Sequence, residues 1–378
     1  MMKHVLQIGV IILIITFLIS CSGCSTGRDD QTELAPSELE KPFPKEELCG
    51  NNFCDDVEFD IGNCPEDCAD VDEGVVYLGL MIHLEGWEEP DGSVDEIKYY
   101  AWTDRAKELA TVLEEYDAKG TFEAHHELVL ASELYGDDTL NELYGRGHGI
   151  GVHADLGGPG SKFEGYTTED MTSDMEEMRV DMERITGLDI RHVSGICSEV
   201  DWVQAALDAG YEFTTGGVMM CGLSLDEKNI PAGYTRKDFL EDYHGILPDS
   251  VEERLHPWRA ATGTDWLTPA EEGLVILASD GVIEGMYEQY GGNSGHMTDQ
   301  FNQDDIDQFI SSLEESISLS RSDRVNQMYV AVSIGNGMDE SVTRDWLEAI
   351  EPYVESGQVE WKTLPEIYDA YVAWEATI

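Results

Sequence analysis

The sequence predicts an α/β protein: seven or eight βα units closing as a (β/α) barrel over residues 73–378, preceded by a small cysteine-rich module at 49–70. Three observations predict it. After Asp72, short apolar runs alternate with stretches of helical period, the pattern of parallel strands joined by crossover helices. The length of 378 residues holds one such barrel, which commonly takes about 200 to 250 residues, with room for an appended segment. Four cysteines, Cys49, Cys54, Cys64 and Cys68, crowd into a short stretch ahead of it.

The amino terminus, MMKHVLQIGVIILIITFLISCSGC, sets Lys3 before an apolar run from Val5 to Ile19 and then small residues, the layout of a secretory signal. LISC resembles a lipobox, whose cysteine, Cys21, becomes the lipid-modified first residue after cleavage, so 1–21 reads as a lipoprotein-type signal. An uncleaved helical anchor is the alternative, although the run is short for a span of roughly 20 residues. Both readings place the rest outside the cytoplasmic membrane, at its outer face or in the cell envelope, joined to the membrane by lipid or helix. Residues 22–48 are polar and proline-bearing and read as a disordered tether. The four cysteines then suggest a two-bridge knot of undetermined pairing, similar to the short C-G-N-x-x-C…C-P-x-D-C repeats of microbial surface proteins. Its hard oxygen donors, among them Asn51, Asp55, Asp60 and Asp67, suit calcium. A solvated acidic face on a disulfide knot accounts for them equally.

Against 78 acidic residues stand 22 basic ones, a formal net charge of −56 spread along the chain. Such a surface repels nucleic-acid phosphates and anionic lipid, which argues against nucleic acid as a partner. The same excess suits a salty or extracellular medium, where counterions screen the self-repulsion.

Strands are expected at Val75–Ile82, Gly120–His125, Gly149–His153, Ile190–Ile196, Tyr211–Gly216, Leu274–Ala278, Tyr329–Ile334 and Val359–Lys362. The best-marked helix is Asp170–Thr186, where Met171, Met175, Met178, Met182 and Ile185 recur at helical spacing as a core-facing stripe, with Thr167 and Asp170 as its cap. The stretch from Cys221 to Thr268 breaks the alternation and reads as a long loop over one end of the fold.

Chemistry gathers where strands end. LGLMIHLEGW closes the first strand with His83 and Glu85, two residues apart and hence on one face of an extended chain. GTFEAH places Glu123 and His125 likewise, with His126 turned away, and GIGVHAD places His153 and Asp155. Three consecutive strands thus bring a histidine and a carboxylate to the end where parallel barrels assemble active groups. Buried side by side, such groups cost on the order of several kcal/mol if unpaired, and a cation offsets that cost. Two imidazoles and a carboxylate with an open position suit zinc or a similar divalent ion. Any one of these histidines alone reads as a hydrogen-bonded polar residue at a strand end.

Weaker candidates are Asp280, after LVILAS, and Glu199 with Asp201, after VSGICS, where a general acid or base is often supplied. Trp87 and Trp258 have rings suited to stacking on a sugar or to packing a core, and Arg259 follows Trp258 in HPWRA. Cys197 and Cys221 follow neighbouring strands and suit a third disulfide in an exported chain.

On these residues the chain resembles a divergent member of the polysaccharide deacetylase family, carbohydrate esterases with a distorted (β/α) barrel that remove N- or O-acetyl groups from glycans. The likeness runs from about Val75 to Tyr211. IHLEG, Ile82 to Gly86, aligns with the family's T-F-D-D-G, setting Glu85 against its metal-binding aspartate and Leu84 against its catalytic-base aspartate. GHGIGVHADLG matches G-H-E-I-G-x-H-S/T-x-x-H in Gly147, His148, Ile150, Gly151 and His153, with Gly157 where the second metal histidine stands. RHVSG, Arg191 to Gly195, resembles R-P-P-x-G, and KGTFEA is similar to the second strand. Together with the strand-end pattern, the resemblance implies a metal-dependent deacetylase acting on an acetylated polysaccharide. Glu85, His153 and Asp155 would hold the metal, and His83, Glu123, His125 and Asp280 would supply catalysis. Trp87, Arg191, Trp258 and Arg259 would meet the sugar. Two other readings stay open: a non-catalytic barrel that binds glycan or an envelope partner, and a glycosidase pairing Glu85 with Asp280 or Glu123.

Overall fold

The computed structural model describes residues 73–84, 95–157, 165–242, 244–290, 300–334 and 339–378, all within one compact unit, Ala69–Ile378. The expected signal, tether and four-cysteine module, with Cys21, Cys49, Cys54, Cys64 and Cys68, lie outside the described residues, as do Glu85 and Trp87. Among the described residues no helix is long and apolar enough to cross a membrane.

The strands are β1 (Val76–Leu84), β2 (Thr121–His125), β3 (Gly149–His153), β4 (His192–Ser194), β5 (Phe213–Gly216), β6 (Trp258–Ala260), β7 (Leu274–Ala278), β8 (Asn326–Ser333) and β9 (Val359–Trp361). Parallel pairing runs in the order β7-β5-β4-β3-β2-β1-β8, β9 pairs parallel to the start of β1, and β6 lies antiparallel on β7. Beyond β7 the chain meets β8: Asp280 N donates to Tyr329 O, and Ala331 N donates to Gly281 O. The curled sheet so closes as a distorted (β/α) barrel. Around it lie α1 (Glu96–Glu114), α2 (His126–Tyr135), α3 (Thr139–Gly145), α4 (Thr168–Thr186), α5 (Trp202–Asp208), α6 (Arg236–Glu241), α7 (Val251–Leu255), α8 (Met286–Tyr290), α9 (Gln303–Leu319), α10 (Glu340–Glu355) and α11 (Leu364–Glu375).

Period two divides the sheet into two apolar faces. Leu78, Leu80 and Ile82 of β1 and Leu274, Ile276 and Ala278 of β7 join the large core under the helices. Met81, Phe213, Val275, Leu277 and Tyr329 face the other way and form a second core with Leu364, Ile367, Tyr368 and Tyr371 of α11. Each such side chain, fully buried, stabilises the fold by about 1.5–3 kcal/mol. Helix α11 therefore floors the amino-terminal end of the barrel. It begins at a capping box between Thr363 and Glu366 with Pro365 in its first turn. Ion pairs hold it to residues just before β2 and β4 and to the middle of β6: Lys119–Glu366 at 2.6 Å, Arg191–Asp369 at 2.7 Å and Arg259–Glu375 at 2.7 Å.

The expected capping box of α4 is present between Thr167 and Asp170, and Met171, Met175 and Met182 are buried. Two departures from the sequence expectation have physical reasons. Strand β8 starts at Asn326 rather than Tyr329 because its polar opening is internally bonded: Asn326 Nδ2 donates to Arg321 O, and Gln327 Nε2 donates to Arg254 O and Ala278 O. The stretch from Cys221 to Thr268 is not a bare loop. It carries α6, α7 and β6, and three residues of strand are too few to show a period.

The glycines of β3 are spacers inside the barrel. A Cβ on Gly151 would stand 2.1 Å from Nδ1 of His192, whose ring occupies the interior beside it. Gly151→Ala should therefore destabilise the protein by about 1–3 kcal/mol. Urea unfolding of the variant against the unaltered chain measures this, and an unchanged midpoint would refute the packing.

Candidate active site

Glu123 is the centre of the site. It points inward from β2, is fully buried, and each of its carboxylate oxygens meets a hydroxyl. Ser194, on β4, donates to Oε2, and Thr215, on β5, donates to Oε1 at 3.3 Å. An imidazole stands behind each hydroxyl: His153 Nδ1 is 2.8 Å from Ser194 Oγ, and His192 Nε2 is 3.0 Å from Thr215 Oγ1. A hydroxyl has one proton to give, and both give it to the carboxylate. Both imidazoles must then donate, which protonates His153 at Nδ1 and His192 at Nε2 and leaves the lone pair of His153 on Nε2. His192 Nε2 also lies 2.9 Å from Glu123 Oε1.

His83 completes the group. Its Nε2 is 3.4 Å from Glu123 Oε2, and its ring stacks on that of His153 with centroids 4.0 Å apart. Burial pushes the Glu123 carboxyl up, but His192 and then His83 outweigh burial and hold it well below the usual carboxylate range. One ligand atom each from His83, Glu123 and His153 lies within 4.8 Å of the others, close enough to share one cation. Two nitrogens and a carboxylate oxygen are a donor set that fits a divalent ion with an open position.

His125, at the end of β2, has its ring centroid 6.2 Å from that of His153. Its Nδ1 lies 2.6 Å from Glu127 Oε2, and that contact is the main cause holding Glu127 at about 2. His126 turns away to Asp181 at 3.0 Å. Asp155 does not share the face of His153. Strand β3 ends at His153, and Asp155 has φ 47° and is exposed, so two-residue spacing no longer carries a side chain inward. Position 157 is closed to any side chain, because a Cβ there would stand 1.9 Å from Cys197 O. Cys197 is joined to Cys221 by the expected disulfide, which pins the loop after β4 to that after β5.

Other candidates are engaged elsewhere. Asp280 is buried and turned toward the helices, paired with Arg254 at 3.1 Å, whereas Glu123 lies inside the barrel, so these two do not form a carboxylate pair. Burial raises the Asp280 carboxyl, with Arg254 opposing. Arg191 and Arg259 are bound to α11 at the floor. Trp258 is buried and donates from Nε1 to Trp266 O at 2.7 Å. Asp201 caps α5 and accepts from Gly263 N at 2.7 Å, and Glu199 is exposed. The strand-end pattern does not single out His192, Ser194 or Thr215. A signal exists for two of them: His192 and Ser194 stand two apart on β4, the same spacing that marks β1, β2 and β3.

No protein-family model matches the chain, and no curated protein matches it in sequence. Solved structures do match. A Mycobacterium smegmatis protein assigned as a polysaccharide deacetylase superposes with a TM-score of 0.50 at 11% identity, over 80% of this chain and 92% of that one. The chain has the polysaccharide deacetylase fold. A Puue allantoinase aligns with a TM-score of 0.48 at 11% identity, over 81% and 92% of the two chains. A family 4 acetyl xylan esterase from Clostridium thermocellum, solved with a cobalt ion, aligns at 0.37 and 11%, over 78% and 91%. On the deacetylase fold the cluster of His83, Glu123 and His153 stands at the carboxyl ends of three neighbouring strands, β1, β2 and β3.

His148, the other histidine of GHGIGVHADLG, is a structural group. Its Nδ1 accepts from Gly120 N at 3.2 Å, which only an unprotonated nitrogen does, and its Nε2 meets Glu114 Oε1 at 3.2 Å. Burial, opposed by Glu114, lowers it below the ordinary 6.5. A histidine depressed on folding contributes stability that is present above the unfolded value and lost as pH falls below it. Between pH 7.5 and 5.5 the unaltered protein should therefore lose more stability, or gain less, than His148→Gln does. Urea midpoints at the two pH values test this, and equal changes would exclude it.

Proposed function

We propose that the protein is a metal-dependent, deacetylase-like hydrolase that removes acetyl groups from a glycan. The observation that carries this reading is the convergence of His83, Glu123 and His153 at the carboxyl end of a deacetylase-type barrel. These three would hold a divalent cation, zinc or one of similar preference, which supplies Lewis-acid polarisation of the acetyl carbonyl. No aspartate stands where the family's base does, and the His125–Glu127 pair is the substitute: the ionised Glu127 holds the proton on Nδ1 of His125 and orients the ring. Nε2 is then the atom that takes a proton and returns it to the leaving amine or alcohol. Burial of Glu123 and His153 and partial burial of His83 keep bulk water from weakening these interactions.

Two variants separate the roles. His153→Ala should lose both bound metal and acetate release from acetylated oligosaccharides, measured by elemental analysis and acetate assay on the purified protein. His125→Gln should keep its metal while acetate release falls by about 10²- to 10⁴-fold. Unchanged metal and unchanged turnover in His153→Ala would overturn the reading.

Export belongs to the same proposal, on the layout of residues 1–48: a lipid on Cys21 tethers the barrel at the outer face of the membrane. Cys21→Ala should release the protein from the membrane fraction of expressing cells. Retention of the variant there, with no mass added at Cys21 of the unaltered protein, would favour the uncleaved helical anchor.

A further inference from the structure

We propose that Thr215 and His192 are the positioning pair of this site: they set the orientation of the Glu123 carboxylate so that Oε2 faces His83 and His153. This rests on the reading of His83, Glu123 and His153 as a metal centre.

The terminal torsion of a glutamate is soft, so nothing within the side chain decides where its two oxygens point. Here the decision is external. Thr215 donates to Oε1 at 3.3 Å, His192 Nε2 stands 3.0 Å behind the threonine oxygen, and the same nitrogen is 2.9 Å from Oε1. The opposite relay, through Ser194, ends on a proposed ligand, whereas this one leads away from the cluster. Thr215 and His192 touch the centre only through Glu123.

His192 is held rigidly for that purpose. Its ring stacks on Phe213, with centroids 4.7 Å apart and planes 6° from parallel, and Phe213 stacks on Tyr368 of α11 at 4.7 Å. Packing alone does not ask for an imidazole there. Nδ1 of His192 is buried without a hydrogen-bond partner, a loss that a phenyl ring in the same stack would avoid. The polar edge that faces Glu123 is what the histidine adds. Partners of this kind behind a ligand typically change metal affinity by about 10- to 100-fold.

The test is a titration of Co²⁺ alone into the full chain, followed by calorimetry, for the unaltered protein, Thr215→Val and Thr215→Ser, with His192→Phe as a second variant that keeps the ring stack. Thr215→Val removes the hydroxyl at nearly constant shape and should weaken cobalt binding by about 10- to 100-fold, while Thr215→Ser should bind as the unaltered chain does. His192→Phe should weaken it in the same direction. Unchanged affinity in Thr215→Val, or an equal loss in Thr215→Ser, overturns the positioning role and leaves the metal centre standing. Failure of the unaltered chain to bind cobalt overturns the metal centre and, with it, this role.

Discussion

A carboxylate buried without any exposure is the constraint on which the rest of this barrel depends. Stripped of water, Glu123 is tolerable only if every lone pair that water would have served is served by protein. Strands β4 and β5 answer with Ser194 and Thr215, and two imidazoles stand behind the hydroxyls. His83 approaches from β1. Four neighbouring strands of one sheet are thereby committed to a single side chain on β2. Three of the groups are the ones that fit a cation, so the arrangement that makes burial bearable is also the one that makes chemistry available.

The floor of the barrel serves the same site from below. Helix α11 fills the amino-terminal end with Leu364, Ile367, Tyr368 and Tyr371, and its tyrosine supports the stack of Phe213 and His192 under Glu123. Room for that stack comes from β3, where Gly151 presents no side chain to His192. The arginines that hold α11, Arg191 and Arg259, sit far down the strands from the carboxyl-end opening. Their chemistry suits a sugar well enough, but their partners are Asp369 and Glu375.

The disulfide defines the opposite rim. Cys197 and Cys221 join two loops at the carboxyl end, and the carbonyl of Cys197 occupies the space beside Gly157. Where the deacetylase pattern carries a second histidine, this chain has backbone from a neighbouring loop. On the other side of β3, Glu123 stands on the adjacent β2 and His83 on β1 beyond it.

Much of the barrel was legible in the sequence because period two, helical period and capping are local properties. The strands of β3 and β7, the cap of α4 and its methionine face follow from residues close together in the chain. The same local rule marks His83, Glu123, His125 and His153 at strand ends, and the sheet brings His83, Glu123 and His153 within reach of one another. It failed for Asp155, where the strand has ended and a left-handed residue turns the chain, and that end depends on loops from β4 that lie far away in sequence. Asp280 and the two arginines show the same limit: residue type and position suggest a role, but Arg254 and α11 supply the partners. Which carboxylate would be buried, which hydroxyls would meet it and which histidine would stand behind Thr215 are matters of five strands side by side. The sequence determined that histidines and carboxylates gather at strand ends. Only the closed sheet decided that Glu123 is the one they gather around, because burial and hydrogen-bond pairing are properties of neighbours in space.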